Sequence, residues 1–186
     1  MFLELDDLKQ YLRHFQARYW VAGGWAIDLH LGRKTREHKD IEIALDRREQ
    51  AFLLQLPEIT KVEYIEHSVL KLWQGEELFL PIHELYCTFH SGFVLEVLLN
   101  EFEGDFWLYR RNKNIRLHRE KFVGGQCAPL PLEVVLLYKA KHCRAQDEVD
   151  FSLALAHLNR DEKRWLYEAI ALDMPEHPWL GRLGAV

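Results

Sequence analysis

Asp40 and Glu42 stand two residues apart in the segment Lys39-Asp40-Ile41-Glu42-Ile43-Ala44-Leu45. On a β-strand such a pair projects from one face, about 6.5–7 Å apart along the chain. Ile41, Ile43 and Leu45 then point the other way and can be buried. Neighbouring carboxylates raise each other's pKa, and a divalent cation relieves the conflict. Mg²⁺ suits the pair because it takes oxygen ligands and keeps waters and substrate phosphates in its shell. Two-metal sites, with ions about 3.5–4 Å apart, clamp the attacking and leaving oxygens. Glu96 is the candidate third carboxylate. It sits in the apolar run Phe93-Val94-Leu95-Glu96-Val97-Leu98-Leu99, where a lone acid is costly to bury. An exposed strand face also carries acids, so this pattern alone does not single out metal chemistry.

Gly23-Gly24 lies between an expected strand and an expected helix. Glycine lets the backbone approach a ligand, and the first turn of a helix offers free N–H groups to phosphate oxygens. A tight turn without a ligand has the same signature. The connection to the acidic strand supplies Arg33, Lys34, Arg36 and Lys39. Such cations can hold phosphate oxygens, and they also suit an ordinary solvated loop. His83, Glu84, Cys87 and His90 fit no standard zinc spacing.

The elements around these residues follow from periodicity. Leu5, Leu8, Leu12 and Phe15 form a helical stripe within Glu4–Arg18. Tyr19–Ala22 reads as a strand, Trp25–Leu31 as a helix ended by Gly32, Asp40–Leu45 as a strand, and Arg47–Leu56 as a helix stopped by Pro57. Strands are expected at Lys61–Ile65, Val69–Trp73, Leu78–Leu80, Phe93–Leu99 and Phe106–Tyr109, while His83–Thr88 fits either a strand or a helical turn. After Pro131 the pattern becomes helical over Leu132–Arg144, Asp147–Leu158 and Asp161–Leu172, and Pro175–Trp179 reads as an extended closing segment. Trp73, Trp107, Trp165 and Trp179 are expected in the core. The reading is α+β: a mixed sheet with helices over 1–123, then a helical part over 124–186.

Composition narrows the function class. Apolar residues make up 48% of the 186 residues, enough for a substantial core. The net charge of −5 argues against a duplex nucleic-acid binder, which needs a basic face. Cys87, Cys127 and Cys143 are odd in number and far apart, as expected of a cytoplasmic protein rather than a disulfide framework. Met1-Phe2-Leu3-Glu4-Leu5-Asp6-Asp7 lacks the form of a secretory leader, and no membrane partner is expected.

Taken in order, Ala22-Gly23-Gly24-Trp25-Ala26-x-Asp28, Gly32 and Thr35-Arg36-x-His38-x-Asp40-x-Glu42 resemble the aminoglycoside and lincosamide nucleotidyltransferases of the polymerase-beta-like superfamily. The likeness is to the aminoglycoside 2''-adenylyltransferase-like branch. It continues through Leu95-Glu96-Val97-Leu98-Leu99-x-Glu101, Trp107-x-Tyr109-Arg110-Arg111, Leu130–Lys141, Asp147-Glu148-x-Asp150-Phe151, Trp165-Leu166 and His177-Pro178-Trp179. The resemblance implies the polymerase-beta-like nucleotidyltransferase fold with a C-terminal helical part. It also implies Mg²⁺-dependent transfer of a nucleoside monophosphate, AMP from ATP, to a hydroxyl of a small aminoglycoside-like acceptor, as in antibiotic resistance. By position, Gly23 and Gly24 would contact phosphates, Asp40 and Glu42 would bind metal, and Glu96 would be a metal ligand or general base. Arg36 would lie near the triphosphate, with Lys139 or Lys141 reaching the nucleotide from the helical part. Glu42 and Glu96 stand where the superfamily usually has aspartates, and Gln146 where lysine is common. These departures leave an alternative in which the fold binds a nucleotide or a partner without catalysis. Transfer to a protein or RNA end is a third reading.

Overall fold

The structure is a computed structural model that describes residues 3–125 and 127–184. It contains an eight-stranded sheet in the order β1-β2-β6-β5-β3-β4, with β7 and β8 continuing from β6. The first strands are β1 (Tyr19–Val21), β2 (Ile41–Asp46), β3 (Ile59–Glu66) and β4 (Val69–Leu72). They are followed by β5 (Glu84–Phe89), β6 (Val94–Glu103), β7 (Phe106–Leu108) and β8 (Arg116–His118). β2 and β6 run parallel, and every other pairing is antiparallel. The sheet is thus mixed, as the sequence leads one to expect.

Alternation along the strands sorts side chains into two layers. Tyr19, Val21, Ile41, Ile43, Leu45, Leu85, Cys87, Leu95, Val97 and Leu99 are buried on one face. Leu5, Leu8 and Leu12 of α1 (Leu3–Tyr11) cover it, with Leu53 and Leu56 from the segment after β2. On the other face Trp20, Ala44 and Phe102 join a second core with α2 (Gly23–Leu31), α3 (Leu132–Ala140), α4 (Ala145–Ala154) and α5 (Arg160–Asp173). That core crosses residue 124, so the helices after it share their packing with the sheet.

Local differences from the sequence reading have identifiable causes. α1 ends at Tyr11 rather than near Arg18. Leu12 and Phe15 close a tight turn through the Phe15 N–H and Leu12 carbonyl at 3.0 Å, which tucks Phe15 and Ala17 into the core ahead of β1. Arg47–Gln55 is a 3-10 helix rather than an α-helix. Leu78–Leu80 forms no strand. The Leu78 backbone is satisfied by side chains instead: its N–H donates to Gln50 Oε1 at 3.0 Å, and its carbonyl accepts from Arg47 Nη1 at 3.1 Å. The ambiguous His83–Thr88 segment is strand β5, and the short β8 closes a hairpin with β7.

The closing segment is not extended as a whole. Pro178 has helical backbone angles and leads into α6 (Trp179–Leu183). His177 Nε2 donates to the Ala140 carbonyl at 2.9 Å, and the Trp179 N–H donates to His177 Nδ1 at 3.1 Å. Trp179 stacks on Phe151 with ring centroids 4.0 Å apart, and its indole N–H donates to the Glu148 carboxylate. Trp73, Trp107 and Trp179 are buried, while Trp165 is only partly covered. Truncating a buried aromatic costs about 3–5 kcal/mol. Trp179→Ala is expected to lower unfolding free energy by about that amount, read as a shift of the urea midpoint with an unchanged slope.

Candidate active site

The parallel pairing of β2 with β6 sets Glu42 directly opposite Glu96. β5 lies on the far side of β6 and pairs Tyr86 with Glu96, so Glu84, two residues earlier, reaches the same face. Asp40 immediately precedes β2 and is exposed. Four carboxylates therefore share one region of the sheet: Asp40, Glu42, Glu84 and Glu96. Glu84 accepts from the Tyr86 hydroxyl at 2.7 Å and shares a hydrogen bond with Glu96. Spacing along β5 alone gave no reason to select Glu84. The sequence weighed it only with His83, Cys87 and His90, and the strand order is what brings it to the other acids.

Crowding changes the acidity of these groups. Burial, the hydrogen bond with Glu84 and the charges of Glu42, Glu84 and Asp40 push the Glu96 carboxyl up to about 9. Burial first, then Asp40, raises Glu42, while Lys139 acts in the opposite direction. Oxygen donors with this surplus of negative charge fit a hard divalent cation. Among the described residues, no three His, Cys, Asp or Glu side chains converge as a ready-made metal cluster. Substrate oxygens or side-chain rotation would therefore complete the shell, which is how Mg²⁺ is commonly held.

The glycines make room for the site's own side chains. Gly23 opens α2 with φ 57°, and a β-carbon there would collide with the Glu42 carboxylate. A β-carbon on Gly24 would stand 2.5 Å from Arg36 Nη2 and from the His38 ring. Ala22 caps α2 without a side-chain hydrogen bond, and the first turn carries no acid. This leaves amide donors beside Glu42.

Asp28, fully buried in α2, organises the connection over 33–39. Its Oδ1 accepts from the Thr35 N–H at 3.1 Å and the Thr35 hydroxyl at 2.5 Å, and its Oδ2 accepts from His38 Nε2 at 2.6 Å. The His38 ring lies against Trp25 at 4.4 Å between centroids. Arg36 is drawn to α4, where it meets Asp150 at 3.3 Å. Lys139 of α3 meets the same Asp150 at 2.7 Å and Asp147 at 3.1 Å, while Arg144 meets Asp147 at 2.9 Å. Of the two lysines singled out in the sequence, Lys139 reaches the cleft. Lys141 is exposed and lines neither cavity described next.

The four carboxylates are divided between the linings of two cavities. One, of about 380 Å³, lies between the sheet and α3; Gly23, Glu42, Glu84, Arg110, Arg111 and Lys139 are among its lining residues. The other, of about 580 Å³, includes Asp40, Glu96, Tyr86, Trp25, Tyr11 and Phe93. Arg36 lines neither cavity.

Two outcomes follow from this geometry. Between about 4.5 and about 9 the folded protein holds a proton on Glu96 that the unfolded chain releases, so this group's contribution to stability falls as pH rises through that window. Glu96→Gln is expected to melt above the wild type in metal-free buffer, with a Tm gap that widens from about pH 5 to about pH 8. Gly23→Ala places a side chain at positive φ and displaces Glu42. Its stability loss is expected to be about 1–2 kcal/mol in thermal melts.

The comparisons with known proteins agree with this architecture. Residues 4–66 match the family described as aminoglycoside-2''-adenylyltransferase. A lincosamide resistance protein of Staphylococcus haemolyticus is 31% identical over 83 residues, which are 45% of this chain and 48% of that protein. The chain thus spans about half the length of that curated relative. Among solved structures, ANT(2'')-Ia in complex with adenylyl-2''-tobramycin superposes with a TM-score of 0.54 at 14% identity, covering 92% of this chain and 99% of the other. The lincosamide antibiotic adenylyltransferase LnuA, lincomycin-bound, gives 0.51 at 17% identity, covering 83% and 96%. The chain therefore has the nucleotidyltransferase fold of these proteins, and over residues 4–66 it resembles the aminoglycoside-2''-adenylyltransferase family.

Proposed function

We infer that this protein is a Mg²⁺-dependent nucleotidyltransferase that moves AMP from ATP to a hydroxyl of a small aminoglycoside- or lincosamide-like acceptor. The observation that carries this reading is the register of Glu42 with Glu96 beside Asp40, with Glu42 lining one cavity and Asp40 and Glu96 another. The donor nucleotide would take the cavity bounded by Gly23 and Lys139. The acceptor would take the cavity bounded by Asp40, Glu96 and Trp25. A reducing, cytoplasmic setting belongs to the same reading, since the three cysteines are free. No helix among the described residues is long and apolar enough to cross a membrane.

Asp40, Glu42 and Glu96 would hold Mg²⁺, which when bound neutralises charge on the transferring phosphoryl group. The acceptor oxygen attacks the α-phosphorus, the bond to the β-phosphate oxygen breaks, and pyrophosphate leaves. Glu96, ionised once a metal bound beside it opposes the burial and like charges that otherwise keep its proton on, would take the hydroxyl proton on a carboxylate oxygen, with Glu84 holding that carboxyl in place. The amides of Gly23 and Gly24 face the phosphates at the start of α2. Arg36 acts through Asp150, which it shares with Lys139, and so positions the lysine rather than touching phosphate. Lys141 has no part in this arrangement. The division at 123/124 is functional in this reading: residues before it carry the acids, and residues after it close the donor cavity.

Mg-ATP binding by calorimetry, followed by pyrophosphate release with panels of aminoglycosides, lincosamides and other polyols, tests the proposal. Asp40→Ala and Glu96→Gln are each expected to reduce kcat/KM by at least about 100-fold while the protein stays folded. Full turnover in Asp40→Ala would remove the site assignment. ATP binding without turnover on any acceptor would favour a binding protein that keeps the fold.

A further inference from the structure

Arg110 and Arg111 follow β7 in the hairpin to β8 and line the same cavity as Glu42 and Lys139. Their setting differs from that of the other cations there. Lys139 and Arg144 are neutralised by Asp147 and Asp150. Arg110 and Arg111 form no ion pair with any described residue. Arg111 Nη1 donates to the Tyr109 hydroxyl at 2.9 Å, but its Nε is buried with no partner. Both guanidiniums stand over Tyr138 of α3, at 5.9 Å for Arg110 and 5.5 Å for Arg111. Two adjacent, half-buried positive charges with no carboxylate in ion-pair contact are unfavourable in isolation, and the charge of Glu84 offsets this only in part at Arg110. Burial and the neighbouring Arg111 lower the pKa of Arg110.

The cavity lining thus combines two carboxylates, Glu42 and Glu84, with two guanidiniums in no ion pair, Arg110 and Arg111. A divalent cation satisfies the carboxylates and an anion the guanidiniums. A polyphosphate chelating that cation supplies both from one molecule, and guanidinium forks match phosphate oxygens. We propose that Arg110 and Arg111 bind the terminal two phosphates of the donor and retain them as pyrophosphate after transfer. This rests on the nucleotidyltransferase reading for the reaction, but pyrophosphate binding can be measured without turnover.

The experiment is calorimetric titration of inorganic pyrophosphate, in the presence of Mg²⁺, into the full chain. Arg110→Gln and Arg111→Gln are each expected to weaken binding by at least about 10-fold. Arg110→Lys, which keeps the charge, should retain part of the affinity and verify that the fold tolerates changes there. Arg116→Gln, at an arginine packed on Phe106, should bind as the wild type does. AMP, which lacks the terminal phosphates, should bind all variants within about threefold of one another. Unchanged pyrophosphate affinity in both glutamine variants, or none in the wild type at millimolar ligand, would overturn the proposal. Arginine-dependent pyrophosphate binding without transfer to any acceptor would leave it standing while removing the transferase reading. Normal transfer with an unaltered KM for ATP in both variants would do the reverse.

Discussion

The parallel register between β2 and β6 is the constraint on which the rest of the site depends. Strand alternation sends Ile41, Ile43 and Leu45 to one core, and so commits Glu42 to the opposite face. β6 does the same through Leu95, Val97 and Leu99, and commits Glu96 beside it. A slip of one residue in either strand would bury an acid among leucines. The hydrophobic layers thus hold like charges together, and the repulsion is tolerated because moving the acids apart would dismantle both cores. Clustered acidity here is a product of packing.

Two buried aspartates transmit that placement to the surroundings. Asp28 gathers Thr35 and His38 and fixes the path of 33–39. Asp150 then receives Arg36 from that path and Lys139 from α3. Each buried carboxylate is satisfied by several donors, the condition under which burial of charge is tolerated. The chain's two parts are consequently joined by polar contacts at the cleft as well as by the apolar core beneath it.

Much of this was legible in the sequence because it rests on local patterns. Asp-x-Glu on an alternating strand gave the face, Gly23-Gly24 gave the end of β1 and the start of α2, and the change after Pro131 gave the helical part. Residues that depend on strand order were not legible. Glu84 joins the acids only because β5 pairs with β6, and Asp147 and Asp150 matter only because α4 packs where Arg36 and Lys139 can reach them. Arg36 stands among the cations before β2, and its pairing with Asp150, a carboxylate distant in sequence, could not be read from that position. Leu78 reads as strand by composition but finds its backbone partners in Gln50 and Arg47. Choices of this kind are made by tertiary contacts, which propensity and period do not encode.

The closeness of Gly23 to Glu42 has a consequence for how this site can change. Glutamate is one methylene longer than aspartate, and its carboxylate occupies the volume that a side chain at position 23 would fill. The two positions share a single space. A shorter acid on β2 would release it, and a bulkier residue at the start of α2 would demand it. Their sequence freedom is therefore joint, and drift at either one narrows or widens what the other can accept.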